Sequence, residues 1–132
     1  MVKNGERGEN IMKIYVGHLK KSDYMNELYL PIINSELGKR EEFIFPHLSE
    51  ETFNSQEVIE QVDLFIAEIS SNSTGLGIEI GRAEVKGKKI LCICNEKSKM
   101  PSCLKYVNVD TLYYKDSIDM VSKIEKYIES IK

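Results

Sequence analysis

The chain has 132 residues, of which 42% are hydrophobic and 30% charged, and its formal net charge is −3. This length and composition are typical of one globular domain with its own core. The charge argues against nucleic acid and anionic membrane as partners, which favour basic surfaces, and no apolar run reaches the roughly 20 residues that span a bilayer.

Residues 1–11 are polar, and we expect them to form a flexible leader before a single domain that spans 12–132. They lack the apolar centre of a secretory signal peptide. Of the three cysteines, Cys92 and Cys94 alternate within the apolar run KKILCICN, so their side chains should share one face of a buried strand. We expect these thiols to be buried and reduced, which agrees with a cytoplasmic location.

Apolar runs alternate along the chain with segments of helical periodicity. The predicted strands are 12–17, 42–46, 63–69, 88–95 and 111–114, and the predicted helices are 22–40, 54–62, 77–87 and 116–132. In the first helix, Ser22 or Asp23 is the expected N-cap, Pro31 should kink or divide the helix, and Gly38 lies near its end. Residues 96–110 are expected to add a turn or a strand.

Strands that alternate with helices indicate βαβ units, right-handed crossovers and a parallel sheet. The fold class predicted for five such strands is α/β, a flavodoxin-like three-layer sandwich with a five-stranded parallel sheet. Ligands of such sheets bind at the carboxyl ends of the strands. The loops at 17–22, 46–53, 70–77 and 95–102 are therefore the candidate site.

The most informative stretch is SSNSTGLGIEIGRA, residues 70–83, which carries Glu79 and three glycines. Those glycines are Gly75, Gly77 and Gly81. One interpretation is a dinucleotide-binding loop with Glu96, about twenty residues on, as the ribose ligand, although the third glycine comes one residue late. A second is a tight turn with Glu79 as a solvated acid in the first helical turn, where the helix dipole favours an anion.

A third interpretation rests on a resemblance. The segment DLFIAEISSNSTGLGIEIGRA resembles the signature of the nucleoside 2-deoxyribosyltransferase family, closest to its 2′-deoxynucleoside 5′-phosphate N-hydrolases. The matching residues are Asp63, Ala67, Glu68, Ser73, Gly75, Gly77, Glu79 and Gly81. A looser likeness covers about residues 12–106. The resemblance implies cleavage of the N-glycosidic bond of a 2′-deoxynucleoside 5′-monophosphate with release of the free base, and it implies neither a metal nor a cofactor.

The resemblance also assigns residues. The nucleophile of this family corresponds to Glu79, because a carboxylate can stabilise and then bond to the positive charge that develops at the sugar C1′. Tyr15 matches a tyrosine beside the nucleophile and is the second predicted catalytic residue. His47 matches a position near the base.

The other predicted substrate-binding residues are Gly17, His18, Lys20, Ser73, Gly75, Gly77 and Ser102. Lys20 supplies a cation where the hydrolases have an arginine, or Lys21 does if the alignment has no gap. The serine of the glycine loop can donate to a 5′-phosphate, and glycines without a Cβ allow the backbone to approach the ligand. Ser102 matches a serine that reaches the phosphate in the partner subunit, so the resemblance implies a homodimer.

The sequence departs from the family pattern in the second helix. Ser55 occupies the position of an aspartate that assists proton transfer, and the nearest carboxylates are Glu51 and Glu57. Alternatives to the hydrolase therefore stay open: a deoxyribosyltransferase that passes the sugar to another base, an NAD-cleaving enzyme of the TIR-like kind, and a nucleotide-binding sensor without activity.

Overall fold

A parallel five-stranded sheet organises the domain. The computed structural model describes residues 10–49, 54–71 and 73–132. The strands are β1 (Lys13–Gly17), β2 (Glu42–Ile44), β3 (Leu64–Glu68), β4 (Lys89–Asn95) and β5 (Asp110–Tyr114). They lie in the order β2-β1-β3-β4-β5 and all pair in parallel. The fold is the expected flavodoxin-like three-layer sandwich, and the strand positions agree with the apolar runs to within two residues.

The helices cover both faces of this sheet. They are α1 (Leu30–Ile33), α2 (Glu36–Arg40), α3 (Ser55–Gln61), α4 (Thr74–Val85) and α5 (Ser117–Ile131). A π-helical turn, Met25–Tyr29, leads into α1, and a 3₁₀ helix, Ser102–Tyr106, precedes β5. The predicted turn or strand in 96–110 is therefore this 3₁₀ helix. Among the described helices, none combines the length and apolar character that crossing a membrane requires.

Two hydrophobic clusters separate the layers. One packs α1, α2 and α5 on the face formed by residues such as Ile14, Ile66 and Ile93. The other packs α3 and α4 on the opposite face, and it includes Cys92 and Cys94, both buried as predicted. Because successive strand residues point to opposite faces, continuous apolar runs supply both clusters. Cys103 is exposed.

The first helical region differs from the prediction. Pro31 comes two residues after the π-helical turn Met25–Tyr29, and the backbone stays helical through Tyr29 and Leu30, so Pro31 does not divide the helix. The division comes at Ser35, whose side chain caps α2 by accepting from the N–H of Gly38. The expected caps do not form: the Ser22 hydroxyl donates to the Leu19 carbonyl, and the Asp23 carboxylate accepts from the side-chain amide of Asn26 rather than from a backbone N–H of the helix.

Gly38 permits α1 and α2 to approach each other. A Cβ at Gly38 would collide with the Ile32 carbonyl oxygen and lie 2.9 Å from its carbonyl carbon. Backbone atoms cannot move aside as a flexible side chain can. The end of the predicted first helix thus contains a glycine that is required for packing.

We predict that Gly38→Ala lowers the free energy of unfolding by about 1–3 kcal/mol, the usual cost of overpacking. The matched control is Gly81→Ala in α4, where a Cβ meets nothing within 4 Å. The control should raise stability by about 0.5–1 kcal/mol, because alanine is the better helix former. Urea unfolding measures both, and equal stability changes in the two variants would contradict the packing role of Gly38.

Candidate active site

Most of the predicted site residues line one cavity of about 180 Å³ at the carboxyl edge of the sheet. We call it the Glu79 cavity, and it is lined by Tyr15, Gly17, His18, Lys20, Pro46, His47, Ser73, Gly75, Leu76 and Glu79. Residues from β1, from the loop after β2 and from the start of α4 meet there because parallel strands bring their carboxyl ends to one edge. Gly77 and Ser102 are not part of the lining.

A hydrogen bond joins the two predicted catalytic residues. The Tyr15 hydroxyl on β1 donates to Oε2 of Glu79 on α4 at 3.1 Å. Tyr15 is 2% exposed and packs edge-on against Phe65. Burial first, and then the charge of Glu79 and the hydrogen bond to it, raise the pKa of the Tyr15 hydroxyl far above that of an ordinary phenol. The phenol therefore stays protonated and donates, while Glu79 is held by a fixed partner.

The sequence predicts Glu79 in the first turn of its helix, but in the structure Glu79 lies beyond the first turn. Helix α4 begins at Thr74 rather than at residue 77, and its first turn contains no acidic residue. Ser73 is the N-cap, and its hydroxyl accepts from the Leu76 N–H at 3.2 Å. The contribution of the helix dipole to Glu79 is therefore weaker than expected, because the dipole acts mainly within the first turn. The start of α4 is instead presented to the cavity by Ser73 and Gly75.

Ser55 occupies the position at which the family pattern has an aspartate, and it lies beside Tyr15. Its hydroxyl hydrogen-bonds to the Tyr15 hydroxyl, an interaction that opposes the rise in the tyrosine pKa. Of the two carboxylates that could replace the missing aspartate, Glu57 is exposed and does not line the cavity. Glu51 lies outside the described residues. Within the described lining, Glu79 is the single carboxylate of the cavity.

The glycines of the site have different local environments. A Cβ at Gly75 would meet nothing within 4 Å, so the backbone there is open to a ligand. At Gly17, a Cβ would lie 2.8 Å from a ring carbon of Phe65 and 2.9 Å from a methyl carbon of Leu76. Gly17 is thus required by the packing between β1 and α4.

The dinucleotide-loop interpretation is not supported by this geometry. Gly75, Gly77 and Gly81 all lie within α4 and do not form a loop before it. Glu96, the supposed ribose ligand, does not line the Glu79 cavity. The fingerprint requires its glycines at the turn between strand and helix, which here is formed by the residues before Thr74.

His18 is occupied by bonds inside the protein. Its Nδ1 is 3.0 Å from the Leu19 carbonyl oxygen, which can only accept, so Nδ1 carries the hydrogen. Nε2 then accepts from the Tyr29 hydroxyl at 2.6 Å, and the ring stacks on Tyr24. Burial lowers the pKa of His18, which favours this neutral form. Its predicted role in binding substrate is therefore limited to the ring surface.

Tyr29 connects two walls of the cavity. Its hydroxyl donates to His18 after β1 and accepts from the backbone N–H of His47, after β2, at 3.0 Å. The ring of His47 lies edge-on to His18 with centroids 5.3 Å apart. The sequence does not mark Tyr29 as a site residue, because its position in an amphipathic segment is explained equally well by core packing.

The remaining predicted residues lie outside the cavity or at its exposed side. Lys20 is exposed and lines the cavity, whereas Lys21 is exposed and does not. This favours Lys20 over Lys21 as the cation of the site. Gly77 is exposed in the first turn of α4, and Ser102 is exposed at the start of the 3₁₀ helix.

A larger cavity of about 470 Å³ shares His18 with the Glu79 cavity. At its base the Glu68 carboxylate accepts from the Ser70 N–H at 2.8 Å, from the Ser70 hydroxyl at 2.6 Å and from the Tyr114 hydroxyl. The Ser70 hydroxyl oxygen in turn accepts from the Asn95 N–H at 2.8 Å. These bonds join the ends of β3, β4 and β5, which gives Glu68 a structural role.

Comparisons with known proteins identify structural neighbours at low identity. No family model matches the chain, and no curated protein sequence matches it. The structure of the CMP N-glycosidase BcmB of Clostridium botulinum superposes with a TM-score of 0.61 at 24% identity, covering 86% of this chain and 98% of that one. A conserved protein of Enterococcus faecalis V583 superposes with the same TM-score at 15% identity, covering 89% of this chain and 99% of that one. At these identities, the neighbours establish a shared fold.

Proposed function

We propose that the protein cleaves the N-glycosidic bond of a nucleotide, with a 2′-deoxynucleoside 5′-monophosphate as substrate and Glu79 as nucleophile. The observation that carries this proposal is the hydrogen bond from Tyr15 to Glu79 in a cavity at the carboxyl edge of the sheet. A half-buried carboxylate held by a neutral phenol is suited to attack a carbon that gains positive charge. The CMP N-glycosidase activity named for the BcmB neighbour supports the reaction class by analogy of fold.

The reaction proceeds in two steps. The Glu79 carboxylate forms a bond to C1′ as the C1′–N bond breaks, and the electron pair of that bond passes to the base. Water then attacks C1′ of the glycosyl ester, which releases the sugar 5-phosphate and restores the carboxylate. Tyr15 keeps the carboxylate oriented throughout, because its hydroxyl remains protonated.

The start of α4 provides a place for the 5′-phosphate. Ser73 uses an oxygen lone pair to cap the helix, so its hydroxyl hydrogen is available to donate to an anion. The first backbone N–H groups of this twelve-residue helix have no partner within the helix, and such groups bind phosphate. Lys20 adds a positive charge on the same cavity. In a homodimer, Ser102 would supply a further contact from the partner subunit.

We expect wild-type protein to release free base from deoxynucleoside monophosphates, measured by chromatography against nucleosides and NAD. Glu79→Gln keeps the shape of the side chain but removes its charge and nucleophilicity. It should fold and bind nucleotide, yet lose at least about a hundredfold in turnover.

Glu57→Gln is the matched control, since Glu57 is exposed and outside the cavity. It should keep wild-type turnover. Turnover that survives Glu79→Gln nearly intact would refute the nucleophile. Tight binding by wild-type protein without release of base would identify a sensor, and sugar transfer to an added base would identify a transferase.

The phosphate site gives a separate prediction. A deoxynucleoside monophosphate should bind more tightly than its nucleoside, and Ser73→Ala should reduce that difference by roughly 1.5–3 kcal/mol, the range for a hydrogen bond to a charged group. Lys20→Ala should also reduce it, whereas Lys21→Ala, the matched control, should not. Isothermal titration calorimetry measures each affinity, and equal affinity of wild-type protein for nucleotide and nucleoside would exclude a phosphate site here.

A further inference from the structure

The proposed reaction requires a proton donor that the cavity does not obviously supply. The base leaves with the electron pair of the broken C1′–N bond, so an uncharged nucleotide base departs as an anion unless it is protonated. Glycosidases use a second carboxylic acid to protonate the leaving group. Glu79 is the single carboxylate in the described lining, and its proposed role requires it to be ionised. Ser55 contributes only a hydroxyl next to Tyr15. The need for this donor rests on the proposed function.

Two of the candidate donors are unsuited to the task. Tyr15 already donates to Glu79, and the rise in its pKa makes it a poor acid at neutral pH. His18 has both ring nitrogens engaged, one with the Leu19 carbonyl and one with the Tyr29 hydroxyl. Burial also lowers the pKa of His18, so it carries one proton that is already committed to a carbonyl.

His47 differs from His18 in the environment of its ring. It is half-buried and lines the same cavity as Glu79. Neither of its ring nitrogens has a hydrogen-bond partner within the described parts of the chain. Histidine is the side chain most often used to transfer a proton to a reacting group, so a ring with free nitrogens in the cavity is suited to this role.

The surroundings fix the position of His47 without engaging those nitrogens. Its backbone N–H donates to the Tyr29 hydroxyl at 3.0 Å, which attaches the loop after β2 to the cluster around His18. Its ring contacts His18 edge-on and lies tilted against Tyr24, with centroids 5.3 and 5.8 Å away. A catalytic acid needs a ring in a fixed position and a ring nitrogen whose proton is not already hydrogen-bonded within the protein.

We infer that His47 is the general acid that protonates the leaving base, in place of a second carboxylate. As the C1′–N bond breaks and Glu79 bonds to C1′, a proton passes from a ring nitrogen of His47 to the base, which departs neutral. The neutral imidazole then takes a proton from the water that hydrolyses the glycosyl ester. Charge and protons balance over the cycle, and no further reactant is required.

The test compares leaving bases that need a proton with matched bases that do not. The pairs are dGMP with its 7-methyl derivative, and dCMP with its 3-methyl derivative, since each methylated base is a cation that departs neutral. His47→Phe retains an aromatic ring against His18 and Tyr24 but has no proton to give. It should lower kcat/KM for the unmethylated member by at least about thirtyfold while changing it for the methylated member by less than about threefold.

His47→Gln serves as a second variant in case the phenylalanine disturbs the loop, and circular dichroism checks the fold of both. Equal losses on both members of a pair would show that His47 only positions substrate, and unchanged rates on both would show that it has no role; either overturns the inference while the proposed function stands. Wild-type protein that releases base from none of the four nucleotides overturns the proposed function, and the inference fails with it.

Discussion

The candidate site depends on the hydrogen bond between Tyr15 and Glu79. These two residues lie 64 positions apart in the chain, so the fold must bring them together. The bond can form only if β1 pairs with β3 and α4 packs back over that pair. The register places Tyr15 beside Phe65, and Leu76 of α4 approaches Gly17 at the end of the same strand. The geometry of the carboxylate therefore depends on the pairing of β1 with β3 and on the packing of α4 against them, and not on the glycine-rich segment alone.

The residues around this bond come from two kinds of element, a buried central strand and a surface loop. Tyr15 belongs to a central strand and is almost fully buried. His47 belongs to a loop that would be free to move, but the Tyr29 hydroxyl attaches it to the cluster that contains His18. Because residues on rigid elements hold their geometry better than residues on loops, this attachment matters for any role that His47 has in catalysis.

The sequence predicted the sheet well and the local geometry of the site less well. Runs such as KKILCICN are apolar on both faces, which is typical of a parallel strand covered by two helical layers. The sequence pattern predicts the start of α4 three residues late, because glycine has a low helix propensity. The Ser73 cap and the packing of Leu76 and Ile80 outweigh that propensity. The first helical region divides at Ser35 rather than at Pro31, because the Ser35 side chain caps a new helix while the backbone before Pro31 stays helical.

The side-chain contacts within the candidate site could not be predicted in this way. A match of motif residues pointed to Glu79, Tyr15 and His47 as candidates, and they line one cavity, but the match carried no information on which nitrogens of His18 are engaged. That depends on Tyr29, which is eleven residues away in the chain and makes its contact through a side chain. The position of Ser55 was predicted as a departure from a pattern, and its contact with Tyr15 follows from the packing of α3 on the sheet.

The most direct test of Glu79 as the nucleophile is to locate the covalent intermediate. A deoxynucleotide analogue with fluorine at C2′, which slows hydrolysis of the glycosyl ester, is mixed with the protein and the reaction is quenched for mass spectrometry. If Glu79 is the nucleophile, the peptide that contains Glu79 gains the mass of one sugar phosphate unit, and the Glu79→Gln protein shows no such gain. Release of base with the adduct on another residue, or with the same adduct in the Glu79→Gln protein, would contradict this role of Glu79.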